Sequence, residues 1–387
     1  MYKERGMDMH VKKRKVLFFV DRLRVGGIQV LLKNLFQKFP EEYISCELLL
    51  LDDGEHYELE DQISSMGIKI YKLKGIWLRK ASDYLKYCKA VKKFFVKHHD
   101  YQAVHLNSGP KNYYILKCAK KYGISVRIAH SHNTGYQTSS GIQTLIGELF
   151  KKPLVKYSNV RLACSDYAGE WMFGKKAVLE HRVIVLPNGI DLDPFAFRRE
   201  IRDEKRKELQ VDNRIVIGHV GRFTTQKNHS FLIDIFQEIH RENSNTVLLL
   251  AGIGEKMEEI REKVKKLCLQ DSVRFLGFRT DITELTQAMD VFLMPSLYEG
   301  FPVTGVEAQA SGLPCVFSDT ITREVKILDQ IVYLPLQASP KEWAERTLEL
   351  VNSTDREQSN ALLRQKGYDI HDMIEQLLKF YGICRTR

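Results

Sequence analysis

The chain has no stretch of 18 apolar residues, so it contains no transmembrane helix. The apolar run from Val16 to Val20 follows a basic start, but it is too short for the core of a secretory leader and ends at Asp21. Residues 1 to about 13 read as a loose lead-in. No Cys-x-x-Cys pair occurs, and the cysteine count of 7 is odd. Free buried thiols in a reducing cytosol fit this pattern better than a disulfide framework or a zinc site. Low-complexity tracts are absent, as are helix-turn-helix, zinc and RNA-binding motifs.

What is present is a chain of 387 residues, 44% apolar, long enough for two domains with full cores. Its net charge of +10 is unevenly placed. Residues 1–190 hold 32 Lys and Arg against 18 Asp and Glu, and the remainder is slightly acidic. The densest stretch, Lys69 to Lys97, sets ten basic residues against the single acid Asp83. Either the first half meets something anionic (a membrane surface, a phosphorylated substrate or nucleic acid) or it carries a solvated lysine-rich surface.

Both halves open on one plan. "KVLFFVDRLRVGGIQVLLKNLFQKF" is a strand, a loop with Gly26 and Gly27, then a helix with Ile28, Leu31, Leu32, Leu35 and Phe36 on one face. "RIVIGHVGRFTTQKNHSFLIDIFQEIH" is a strand, a loop with Gly221 and Arg222, then a helix with Phe231, Leu232, Ile235, Phe236 and Ile239. Strand and helix patterns then alternate. The strands are "CELLLL", "IKIYKL", "AVHLN", "VRIAHS", "VRLACS" and "RVIVLP", then "TVLLLAG", "VRFLGF", "DVFLMPS" and "PCVFSD". This predicts two doubly wound α/β domains joined near "LPNGIDLDPF", with an amphipathic helix as the tail.

The stretch "SLYEGFPVTGVEAQASGLPCVFSD" places Glu299 and Glu307 eight residues apart around Gly300, Pro302 and Gly305. Strand, loop, helix and strand follow one another here, and doubly wound sheets bind ligands outside the carboxyl ends of their strands. Both carboxylates are therefore expected at a ligand site. Thr304 reads as the N-cap, which makes Thr304-x-x-Glu307 a capping box, so Glu307 has a cap reading beside a ligand reading. The helix N-terminus would keep Glu307 charged. Glu299 has the plain alternative of an exposed loop acid.

Other residues carry paired readings too. Gly26 and Gly27 before a helix let backbone N–H groups approach a phosphate, or simply make a tight turn. Arg222 and Lys227 flank a loop expected to be exposed. Arg offers a planar fork and Lys a mobile point charge for phosphate oxygens; surface salt bridges are the alternative. His130 and His132 alternate onto one strand face, as core histidines or as ligands. Asp191-x-Asp193 has the form of a metal motif but sits in the linker turn.

"GHVGRFTTQKNH", "LLLAGIGE", "VRFLGF" and "DVFLMPSLYEGFPVTGVEAQASGLPCVFSD" together resemble glycosyltransferase family 4, retaining enzymes of the GT-B fold. "VGGIQVLLKNL", "AHSHN" and "LPNGID" also stand where that family has motifs, and the closest likeness is to capsule and exopolysaccharide enzymes. The resemblance implies two Rossmann-like domains facing across a cleft: residues 14–189 binding acceptor, with a C-terminal helix (371–387) returning to them, and residues 190–370 binding a nucleotide sugar. It implies that Gly26 and Gly27 face the donor diphosphate, and that Arg222 and Lys227, in the motif that begins at Gly221, stabilise it without metal or cofactor. The segment Phe301, Pro302, Val303 and Thr304 meets the diphosphate as well, through the amides that follow Phe301. Glu307 accepts from the ribose, Glu299 reaches the transferred sugar, and Asn188 lies in a substrate-binding turn. A histidine near sugar and acceptor is His132, with His130 beside it.

The expected activity is cytoplasmic transfer of a hexose or N-acetylhexosamine from a nucleotide sugar, with UDP favoured over GDP. The acceptor is a glycan, lipid-linked at the inner face of a membrane, and no nucleic acid is expected as partner. Alternatives are a nucleotide-sugar 2-epimerase on the same architecture, a polyanion-binding protein suggested by the charge, and an inactive scaffold, against which Arg222, Lys227, Glu299 and Glu307 stand.

Overall fold

A computed structural model describes residues 13–24, 26–74, 81–135, 141–299, 301–351 and 356–383. The lead-in, Gly300, part of the Lys69–Lys97 stretch and the last residues of the tail lie outside these. The chain divides into two compact units, residues 1–189 with 370–387 and residues 190–369.

The first unit holds seven strands: β1 (Arg14–Val20), β2 (Ile44–Leu51), β3 (Lys69–Leu73), β4 (Ala103–Leu106), β5 (Val126–Ser131), β6 (Val160–Ala163) and β7 (Ile184–Val185). They pair in parallel in the order β3-β2-β1-β4-β5-β6-β7. Strands covered on both faces read as continuous apolar runs. In β1, Val16, Phe18 and Val20 enter one core, and Leu17 and Phe19 enter the core on the opposite face. The first of these cores also takes Leu31, Leu32, Leu35 and Phe36 of the helix Gly27–Lys38. The helix Ile370–Phe380 joins it through Ile370, Met373, Ile374, Leu377 and Leu378.

The second unit holds β8 (Ile215–Val220), β9 (Thr246–Ala251), β10 (Val273–Gly277), β11 (Val291–Met294), β12 (Cys315–Ser318) and β13 (Ile331–Leu334). Their order is β10-β9-β8-β11-β12-β13, again all parallel. The sequence reading did not mark β13, a four-residue edge strand. In both units the strand order reverses beside the first strand, between β1 and β4 and between β8 and β11. Loops leaving the carboxyl ends of such neighbours diverge to opposite faces and leave a crevice where doubly wound sheets bind ligands.

The six described cysteines are free thiols. Burial without a nearby cation pushes the Cys46 and Cys315 thiols well up, which makes them packing residues. No described helix is long and apolar enough to cross a membrane.

Candidate active site

In the second unit, the loop after β8 runs through a short 3-10 turn, Thr225–Lys227, into the helix His229–Glu242. The loop after β11 leads to the helix Val303–Ala310. Strand adjacency sets the two loops side by side, and hydrogen bonds lace them together. The Leu297 N–H donates to the Gln226 carbonyl at 2.8 Å. Gln226 Nε2 donates to the Tyr298 carbonyl at 3.0 Å, and Asn228 Nδ2 donates to the Pro295 carbonyl at 3.1 Å.

This lacing brings Lys227 Nζ to 2.7 Å from Glu299 Oε1, with the two side chains 15% and 9% exposed. Gln226 Nε2 also donates to Glu299 Oε2 at 3.2 Å. Neither residue is therefore the exposed loop charge that the sequence suggested. Arg222 is exposed and has no ion-pair or hydrogen-bond partner for its guanidinium among the described residues. The loop after β9 closes on the same place. Gly252 has φ +142°, and a Cβ there would fall 2.0 Å from the Gly221 carbonyl oxygen, so only glycine fits. A Cβ at Gly221 would in turn meet His219 Nε2 at 2.8 Å.

The capping-box expectation fails on register. Pro302 is the N-cap of the helix Val303–Ala310, and no side chain caps it. Thr304 is thus the second helical residue and Glu307 the fifth, too far along to reach back to the cap. The N–H groups of Val303 and Thr304 remain without partners inside the helix, since the Pro302 carbonyl accepts only from Gly305 and Val306. Phe301 stacks on Tyr368 with ring centroids 6.2 Å apart and planes at 4°.

The expected charge on Glu307 is corrected as well. By surface area the residue is half-buried, yet protein atoms crowd its carboxyl. That crowding, which removes solvation from the anion, raises its pKa to about 7 and outweighs the helix end.

In the first unit, Gly26 is the N-cap of the helix Gly27–Lys38 in an extended conformation, with no side-chain cap. Its carbonyl accepts from Val30 N–H at 3.0 Å. Asn112 Nδ2 donates to Asp21 Oδ1 at 2.7 Å, which ties the loop after β1 to the loop after β4.

His130 lies in β5 and His132 just beyond it; both are buried, with ring centroids 3.9 Å apart. Both nitrogens of His132 have partners: Nδ1 is 3.0 Å from Asn188 Oδ1, and Nε2 is 2.9 Å from Asn107 Oδ1. Burial lowers the His132 pKa to about 4, so the ring is neutral at pH 7 and donates to only one amide. Asn107 uses its NH₂ on the His105 carbonyl at 3.3 Å, so its oxygen takes the His132 proton. Asn188 must then turn its nitrogen toward Nδ1, since the ends of an amide are told apart by their hydrogen bonds. His130 Nε2 is buried with no partner. Among the described residues both ring nitrogens of His132 are engaged, whereas His130 keeps a nitrogen without a partner.

Asn107 was missed as a site residue although it ends the strand pattern "AVHLN", at the carboxyl edge where ligands bind. Gln226 was missed because nothing in its spacing signals a tie between loops. Asp193, of the Asp-x-Asp pattern, pairs with Arg364 at 2.7 Å.

Family models match along most of the chain: Glycosyltransferase Family 4 over residues 25–194, and Glycosyl transferases group 1 over residues 200–367. "Putative glycosyltransferase EpsF" of Bacillus subtilis (strain 168) is 32% identical over 387 residues, 98% of this chain and 99% of that protein. The chain belongs to the family 4 glycosyltransferases. A more distant relative, the UDP-Gal:alpha-D-GlcNAc-diphosphoundecaprenol alpha-1,3-galactosyltransferase of Escherichia coli, is 25% identical over 301 residues, 76% of each chain.

Solved GT-B structures share the glycosyltransferase's fold. The Anabaena Alr3699/HepE complex with UDP superposes with a TM-score of 0.76 at 18% identity, covering 95% of this chain and 99% of that one. WaaG, a glycosyltransferase of lipopolysaccharide biosynthesis, gives 0.63 at 14% identity, covering 95% and 99%.

Proposed function

We propose that this glycosyltransferase is a retaining, metal-independent enzyme that moves a hexose or N-acetylhexosamine from a UDP-sugar to a glycan acceptor, lipid-linked, in exopolysaccharide or capsule synthesis. The observation that carries the reading is the group at the β8–β11 switch point: the free guanidinium of Arg222 beside the buried pair Lys227–Glu299. In such a transfer the bond from sugar C1 to the phosphate oxygen breaks, its electron pair leaving with the diphosphate. C1 bonds to the acceptor oxygen on the same face, and the acceptor's proton passes to the departing phosphate. Fixed cations stabilise the charge that grows on the leaving group.

In this assignment Arg222, Lys227 and the amides of Val303 and Thr304 hold the diphosphate. Glu307 accepts from the ribose and Glu299 holds the sugar. Gly26 and Gly27 also face the diphosphate. The relatives support the donor and acceptor classes: one is named for a UDP-galactose donor and a diphosphoundecaprenol-linked acceptor, and HepE was solved with UDP-glucose.

A peripheral membrane role is supported by the helix Ala81–Lys97, which buries Tyr87, Val91, Phe94 and Phe95 and exposes Lys86, Lys89, Lys92, Lys93 and Lys97. Leu85 of the same helix is 68% exposed. Leu145 and Leu149 are exposed on the helix Gly141–Tyr157, whose Phe150 stacks on Tyr84 at 5.2 Å.

A thermal-shift screen with UDP- and GDP-sugars tests the donor, because a ligand that binds the native state raises Tm. A UDP-sugar should give the largest shift, and turnover should release UDP only when acceptor is present. UDP release from a UDP-sugar with no need of acceptor, or stabilisation by GDP-sugars alone, would overturn the reading.

A further inference from the structure

Behind His130 runs a buried chain of hydrogen bonds that reaches the end of the polypeptide. Tyr381 Oη lies 2.7 Å from His105 Nδ1, and His105 Nε2 lies 3.1 Å from His130 Nδ1. Tyr381 follows directly on the helix Ile370–Phe380, and its ring meets Phe18 edge-on at 6.2 Å. All three rings are buried. Desolvation lowers the His105 pKa to about 3 and holds that of His130 well below the usual imidazole value, so each imidazole carries one proton near neutrality.

A neutral imidazole has one donor and one acceptor nitrogen, which leaves the chain two arrangements. In the first, Tyr381 donates to His105 Nδ1, His105 Nε2–H donates to His130 Nδ1, and the His130 proton sits on Nε2. One buried group then lacks a partner, the His130 Nε2–H. In the second, every bond reverses: His130 Nδ1–H donates to His105, and His105 Nδ1–H donates to the phenol oxygen. The Tyr381 hydroxyl proton then has no acceptor among the described residues, and the lone pair on His130 Nε2 has no donor. The second arrangement leaves two buried groups unsatisfied where the first leaves one, so the first is favoured.

We propose that Tyr381 and His105 are positioning residues that fix His130 in the tautomer with its proton on Nε2, making that nitrogen an N–H donor for a hydroxyl oxygen of the sugar being transferred. The proposal rests on the glycosyl-transfer reading. Because Nε2 is buried, it meets that oxygen only when a neighbouring group gives way. The relay also explains why a tyrosine stands after a helix that the fold needs only for packing: phenylalanine would fill the same space but could not donate to His105.

The test is ¹⁵N-histidine labelling of the whole chain. Two-bond ¹H–¹⁵N correlation spectra report which nitrogen of each ring holds the proton, with signals assigned through His105→Gln and His130→Gln. His130 should show a protonated Nε2 and a bare Nδ1. In Tyr381→Phe, with Tm within a few degrees of wild type, the His130 signal should move toward the opposite tautomer. Turnover at saturating donor should fall several-fold, while the affinity for UDP stays unchanged.

A wild-type His130 protonated on Nδ1, or an unaltered spectrum in Tyr381→Phe, would overturn the relay. A changed tautomer with unaltered turnover would overturn the donor role of His130 and leave the relay standing. If no nucleotide sugar is turned over at all, the glycosyl-transfer reading fails, and the wild-type spectrum still decides the tautomer. Should Tyr381→Phe not fold, that same spectrum is sufficient.

Discussion

Lys227 and Glu299 form an ion pair at 2.7 Å although one follows β8 and the other follows β11, 72 positions apart in the sequence. Their side chains are 15% and 9% exposed, so each neutralises a charge that the surrounding protein would otherwise hold at a cost. Breaking such a pair by removing one partner leaves the other buried and uncompensated, typically at about 3 kcal/mol or more. Lys227→Ala should therefore destabilise the fold by that order in urea titration. Lys227→Ala with Glu299→Gln should recover part of the loss. Equal stability of the single and double variants would show that the pair is not coupled.

Arg222 behaves differently because nothing in the described protein holds its guanidinium. Arg222→Ala should leave Tm nearly unchanged and reduce turnover by about 10²–10³, the usual effect of losing one electrostatic stabiliser. Turnover within a few-fold of wild type would remove Arg222 from the diphosphate site. EDTA should change little; loss of activity in chelator, restored by manganese, would show that a metal takes part.

The doubly wound plan was legible because strands buried on both faces write themselves as apolar runs, and β5 falls on "VRIAHS" residue for residue. β13 was not marked, because "IVYL" is short and lies at the sheet edge. Helix register was less legible than helix existence. Thr304 looked like the cap, but Pro302 holds that place and moves Glu307 out of reach. Leu85 shows the same limit: it is as apolar as Tyr87 and Phe94 of its helix, yet tertiary packing buries those two and leaves Leu85 exposed. The cluster around His130 was beyond sequence reasoning, since His105 and Tyr381 are 276 residues apart and no periodicity relates them.

The exposed lysines and Leu85 of the helix Ala81–Lys97 give a measurable expectation for membranes. Each basic residue near an anionic surface contributes about 1 kcal/mol of attraction. Flotation should show binding to vesicles rich in anionic lipid and little to neutral ones. Replacing Lys86, Lys89 and Lys93 with Gln should abolish that difference without affecting the fold. Negligible binding to both vesicle types would leave these lysines as a solvated surface.

Glu307 joins stability to ligand binding through one proton. Its folded-state pKa is raised to about 7 from an ordinary 4.5, because crowding disfavours the anion. The folded state thus holds the proton more tightly than the unfolded chain. The stability this contributes is fully present below the unfolded value and is lost as pH rises through about 7. Glu307→Gln removes the titration, so the variant should hold its Tm between pH 5 and pH 8 better than wild type, apart from slopes common to both.

Ribose hydroxyls donate best to the ionised carboxylate, so nucleotide binding should oppose the protonation that burial favours. UDP should therefore bind the wild type more tightly as pH rises from 6 to 8 and release a proton on binding below pH 7. UDP itself titrates near this range, and Glu307→Gln separates the two sources, since the variant keeps only the ligand's share. Calorimetry in two buffers of different ionisation enthalpy counts the protons directly. If wild type and Glu307→Gln release the same number and bind UDP equally at pH 8, the carboxyl does not meet the nucleotide. Its burial would then belong to the helix packing alone.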